Sequence, residues 1–194
     1  MKVLSLAAAL TAAMTLAACE DGGLFDRNAP NTTGPVSTGP MGGTHRQMAA
    51  ANPMSPTTTD YVGNAATSDM YEIEAGRIAA QKARDQRVKN FGQMMASDHG
   101  NNSAKLKAAL PPGVTPPARL DAEHDAKLTQ LRNAPAGAGF DRLYMQQQVA
   151  AHEQALAMHQ NYARNGDVAS LREVASGAVP VVEGHLRQAR SLAR

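Results

Sequence analysis

The chain has one cysteine, no tryptophan, and only three phenylalanines and four tyrosines in 194 residues. A lone thiol rules out an internal disulfide, a zinc ribbon and a paired-thiol redox motif. Charge of either sign is also lacking in excess: 19 Lys and Arg stand against 17 Asp and Glu, for a formal +2. No basic stripe stands out, so the electrostatic footprint of a nucleic-acid partner is missing. There is no Gly-x-Ser-x-Gly elbow, no glycine-rich phosphate loop and no cysteine placed for nucleophilic catalysis. The composition points away from an enzyme. The longest apolar stretch, Val3 to Leu16, falls short of the ~20 residues a membrane-spanning helix needs. A sheet core would call for aromatic and β-branched residues, whereas Ala, Leu, Val and Met suit helices that approach closely.

What is present begins at the N-terminus. Lys2 precedes the apolar stretch, and Leu16-Ala17-Ala18-Cys19 closes it. This pattern resembles a bacterial lipoprotein signal peptide with its lipobox. It implies a mature chain that starts at a lipidated Cys19, held to a membrane and facing the periplasm. Thioether lipidation also explains an odd cysteine in an oxidising compartment. Glu20 follows, where Asp would resemble an inner-membrane retention signal, so the outer membrane is favoured over the inner. Loss of residues 1–18 removes one cation, Lys2, and takes the formal charge from +2 to +1.

Three segments follow: a signal peptide (1–18), a tether (19–56) and a folded domain (57–194). The tether is rich in Gly, Pro, Asn, Thr and Ser and cannot bury enough surface to offset ordering entropy, so it is expected to be disordered. As a flexible coil it would reach ~35 Å.

The folded domain reads as all-α. Asp60 is a plausible N-cap for a helix to about Lys82, with Val62, Ala66, Asp69, Ile73, Gly76 and Ala80 at helical spacing. A second helix fits Asp85 to Leu110, with Val88, Phe91, Met95, His99, Asn102 and Leu106 inward; Pro111, Pro112 and Gly113 stop it. Leu120 to Arg132 makes a short helix, and a long one runs from Phe140 to Arg164. The last spans Val168 to Leu192, either kinked at Pro180 or broken into two there. Four long helices and one short connecting helix predict a ferritin-like antiparallel four-helix bundle.

Ionisable residues fall on the inward faces. His99 and His185 sit within apolar arcs, His152 and His159 share a face with Tyr144, Asp69 lies near the centre of the first stripe, and Glu72 lies at its border. Burying such groups is costly unless they are paired or bind metal. One reading is a metal centre with Glu72, His99, His152 and His185 as ligands, supported by Asp69, Asp98 and Tyr144; iron, zinc or copper would suit it. The other is a buried hydrogen-bond network in which His99 and His185 pair with Glu72, Asp69, Asp98 or Tyr144. A ferritin-type di-iron centre does not fit, because no Glu-x-x-His occurs. Met94, Met95, Met145 and Met158 lie near the histidines and raise Cu(I), although methionine also fills core gaps.

Tyr71-Glu72-Ile73-Glu74-Ala75-Gly76, Val88-Lys89-Asn90-Phe91-Gly92, Met94-Met95-Ala96-Ser97-Asp98-His99 and Phe140-Asp141-Arg142-Leu143-Tyr144, with His152, Pro180 and His185, resemble the bacterial domain of unknown function 4142. Members are often labelled outer membrane proteins. The resemblance spans Tyr61 to Leu192 and implies a ferritin-like four-helix bundle with no established activity. A barrel is not implied, since no alternating strand pattern occurs. The family commonly has Ala where Gly92 stands, and Gly there is expected to weaken the second helix slightly. The expectation is thus a lipid-anchored periplasmic bundle serving as a binding or envelope-stress module for an unknown protein partner, without nucleic acid and without a certain cofactor. The alternative is a metal-binding ferritin-like protein with a His/carboxylate core site.

Overall fold

The computed structural model describes residues 57–194. The expected signal peptide, Cys19 and the expected tether lie outside the described residues. Within them are five helices: α1 (Thr58–Lys82), α2 (Gln86–Ala108), α3 (Ala122–Asn133), α4 (Ala138–Asn165) and α5 (Ala169–Leu192). The four long helices form the antiparallel bundle, and α3 is the short connecting helix. No described helix is long and apolar enough to cross a membrane.

Local chemistry sets the helix ends. Thr57, rather than Asp60, caps α1: its hydroxyl accepts from the Asp60 backbone N–H at 3.1 Å and donates to the Asp60 carboxylate at 2.6 Å. Asp60 is the acidic residue of the first turn, where it also favours the helix dipole. Asp85 caps α2 as its sequence position suggests, accepting from the Arg87 N–H at 2.8 Å. The tight α1–α2 turn is tied to α4, because Arg84 and Asp85 N–H groups each donate to the Asp141 carboxylate at 2.9 Å. Lys82 donates to the carbonyls of Leu131 and Arg132 at 2.9 and 2.7 Å, satisfying orphan groups at the end of α3. The chain does not break at Pro180, which lies inside a continuous α5.

Gly76 and Gly92 let α1 and α2 touch backbone to backbone. A Cβ on Gly92 would lie 2.6 Å from the Gly76 carbonyl oxygen, and one on Gly76 would collide with that of Gly92. Glycine at position 92, whatever its slight cost in helix propensity, is needed for this close approach.

The core has two apolar clusters with a polar layer between them. Tyr71, Phe91, Met95, Leu128, Leu131 and Phe140 belong to one, Tyr61, Val62, Leu106, Tyr162 and Leu171 to the other. Burying each such large side chain contributes roughly 1.5–3 kcal/mol. Ile73 and Ala80, expected inside, are only half-buried, whereas Glu72, placed at the stripe's border, is 1% exposed. The reason is that α1 is covered on two sides, by α2 and by α3 with α4. Its buried arc is thereby turned toward the face bearing Tyr71, Glu72, Ala75 and Ala79. Buried ionisable residues on the long helices gather where the two clusters meet, at Asp69 and Glu72 on α1, His99 on α2, His152 and His159 on α4, and His185 on α5.

Candidate metal centre

Helical register delivers the polar layer. On α2, the run Phe91, Met95, His99 advances one turn at a time along the buried face. On α4, Tyr144, Gln148 and His152 do the same. On α5, Val182, His185 and Ala189 share the inward face. Three helices thereby bring three imidazoles to one point. The ring centroids of His99, His152 and His185 are 5.4–5.7 Å apart. One ring nitrogen from each lies within 4.8 Å of the other two.

Each ring is held by its other nitrogen. His99 Nδ1 donates to Asp69 at 2.8 Å, His152 Nδ1 to the Gln148 carbonyl at 2.9 Å, and His185 Nε2 to Asp98 at 3.0 Å. These acceptors place a proton on the outward nitrogens. The remaining nitrogens, His99 Nε2, His152 Nε2 and His185 Nδ1, are buried and have no hydrogen-bond partner. Asp69 is itself fixed by Asn102, at 2.9 Å, and by Ser103, at 3.2 Å. A ring clamped on one side by a carboxylate or carbonyl, with a free nitrogen on the other, is the arrangement metal-ligating histidines use.

The sequence-predicted residues are divided by this geometry. His99, His152 and His185 converge, and Asp69 and Asp98 support them from behind. Glu72 does not join the trio: Oε1 lies 3.8 Å from His152 Nδ1 and lacks a hydrogen-bond partner, while Oε2 accepts from Gln148 at 2.7 Å. Tyr144 is fully buried, but its hydroxyl pairs with nothing. The four methionines pack in or against the apolar clusters and act as core filler. Gln148 escaped the sequence reading, since a single glutamine carries little signal. Its position one turn from both Tyr144 and His152 is the clue that was available.

Electrostatics separates the histidines. Burial lowers the pKa of His152 to about 4, helped by the neighbouring His99 charge. Burial likewise brings His185 to about 4, against the pull of its bond to Asp98. Both are neutral at pH 7, as metal ligation requires. Burial also opposes the charged form of His99, but the bond to Asp69 and the surrounding carboxylates of Glu72, Asp69 and Asp98 outweigh it, so its pKa is raised. Burial raises the Glu72 pKa, partly countered by His99 and Gln148.

A pocket of about 600 Å³ lies beside the trio, between α2 and α5, and His99, His185 and Asp98 line it. His159 also lines it but stays outside the trio, its Nδ1 3.1 Å from the Tyr61 hydroxyl.

The fold recurs in solved structures of low sequence identity. A DUF305 fragment from Deinococcus radiodurans superposes with a TM-score of 0.61 at 14% identity, covering 70% of this chain and 93% of that one. CopM in the Cu(II)-bound form superposes at 0.60 with 17% identity, covering 72% and 97%. No curated protein matches the sequence. The sequence profile of the domain of unknown function DUF4142 matches residues 43–192, and the chain belongs to that family.

Proposed function

We propose that this protein binds one first-row transition-metal ion through His99, His152 and His185, in the cell envelope and on a lipid anchor at Cys19. The observation that carries the metal reading is the set of unpaired nitrogens. Six buried side-chain polar atoms lack partners among the described residues, and all belong to Glu72, His99, Tyr144, Gln148, His152 and His185. Each such atom costs roughly 1–3 kcal/mol when left unmade. A purely structural network would close those bonds; a cation held by the three nitrogens offsets the cost. Imidazole donors suit zinc, copper, iron and nickel, and copper(II) heads the affinity order for divalent ions. CopM, which shares this fold, was solved in a Cu(II)-bound form. Glu72 stands close enough to balance the ion's charge. The envelope location rests on the sequence around Cys19.

The test is a titration of the full chain, stripped of metal and lacking a polyhistidine tag, with Cu(II) and Zn(II). The expected result is one ion per chain and a rise in melting temperature; a ligand at 100 times its Kd adds ~2.7 kcal/mol. His152→Ala and His185→Ala each abolish this binding, and His124→Ala in α3 does not. Sub-stoichiometric binding with an unchanged melting temperature would overturn the metal reading and leave the buried network.

A further inference from the structure

The three unpaired nitrogens are sealed from water. An ion can reach them only if something moves. The pocket between α2 and α5 ends against the rings of His99 and His185, and no other ring of the trio lines it. The three ring clamps differ in how readily they open. Asp69, which holds His99, is 2% exposed, and freeing His99 would strand a buried carboxylate. His152 is 1% exposed and is tied to a carbonyl of its own helix. His185 is held at Nε2 by Asp98, whose side chain is 36% exposed and lines the pocket. Water can solvate that carboxylate once the hydrogen bond opens, so this clamp is the cheapest to break.

The wall carrying His185 is also a weakened stretch of helix. Pro180 supplies no N–H to the carbonyl of Ser176, and Gly177 and Gly184 flank it. Small residues, Gly177 and Ala178, line the pocket and leave room for a displaced imidazole.

We propose that this pocket is the loading channel of the metal centre, with His185 as its gate and Asp98 as the latch that positions the gate. The proposal rests on the three-histidine reading of the site. A hydrated divalent cation enters between α2 and α5. His185 swings toward the pocket as its bond to Asp98 opens, binds the ion through the exposed ring, and carries it inward as the bond re-forms. Asp98 touches the histidine and not the ion, so it is a positioning residue.

The experiment follows Zn(II) and Cu(II) loading of the full chain by stopped flow, and unloading into excess EDTA. Gly177→Phe plugs the channel. Gly177 is exposed, and no atom lies within 4 Å of a Cβ built there, so the new side chain is tolerated. Loading and unloading should both slow by about tenfold or more, equivalent to ~1.4 kcal/mol on the barrier, while stoichiometry and Kd stay put. Val181→Trp, on the same wall at a position 44% exposed, provides a second plug should the first fold poorly. Asp98→Ala releases the latch and should speed loading several-fold, which a merely structural loss would not do; Asp98→Asn, which keeps an acceptor, should restore the slower rate. A wild-type chain that binds one ion, but whose rates are unmoved by both plugs, overturns the channel and leaves the metal site standing. Loading that slows in Asp98→Ala overturns the latch. A wild-type chain that binds no ion overturns the metal reading and the channel with it.

Discussion

His159 shows what burial does to a single ionisable side chain. It is 4% exposed, beside the Tyr61 hydroxyl, and burial holds its pKa at about 4. The unfolded chain gains a proton on this residue as pH drops through ~6.5, and the folded chain does not until about 4. Its contribution to stability is fully present above 6.5 and is lost on acidification, by up to ~1.4 kcal/mol per pH unit. His152 and His185 act with the same sign, whereas the raised values of His99 and Glu72 act oppositely, favouring the fold at low pH. In the metal-free protein, His159→Gln should flatten the fall of melting temperature between pH 7 and 4.5; an unaltered slope would contradict this account. Asp69 makes a second case. Asp69→Asn keeps the shape but weakens the clamp on His99, and should lower metal affinity about 10–100-fold, measured by competition with a chelator.

At the scale of the element, the glycine contact between α1 and α2 is the sharpest constraint. Gly92→Ala gains roughly 1 kcal/mol of helix propensity. It also drives a methyl to 2.6 Å from the Gly76 carbonyl oxygen and 2.9 Å from the Ala79 Cβ. Overpacking against backbone costs about 1–3 kcal/mol, so the variant should be less stable in thermal or urea unfolding. A more stable variant would mean that the helices separate without loss. Periodicity and punctuation made the five helices readable, because Asp85, Pro111, Pro112 and Gly113 act locally on the backbone. The α1 cap was missed by three residues, since Thr57 and Asp60 are both good caps and only their mutual bonding decides between them. Ile73, Ala80 and Glu72 were misjudged because a single-stripe pattern does not register a helix packed on two sides.

For the whole molecule, the location proposal turns on Cys19. Cys19→Ser should release the protein from the membrane fraction to the soluble periplasm, checked by fractionation and blotting; retention unchanged would remove the lipid anchor from the proposal. A permanent anchor is physically sensible, since each buried methylene adds ~0.8 kcal/mol. The bundle's own architecture gives the candidate site its character. Two apolar clusters close off a polar layer, so its charges interact in a dry setting and its unpaired atoms carry their full desolvation cost.

Composition and spacing alone determined an all-helical folded domain and the inward placement of His99, His152 and His185, because a side chain's direction on a helix follows from its position in the turn; whether Pro180 bends or breaks the last helix they left open. Only the tertiary structure decided which of those side chains meet. The sequence does not encode the rotation and depth at which separate helices pack, and those set the trio at contact, left Glu72 beside it, and turned Asp98 outward to hold His185 from the pocket.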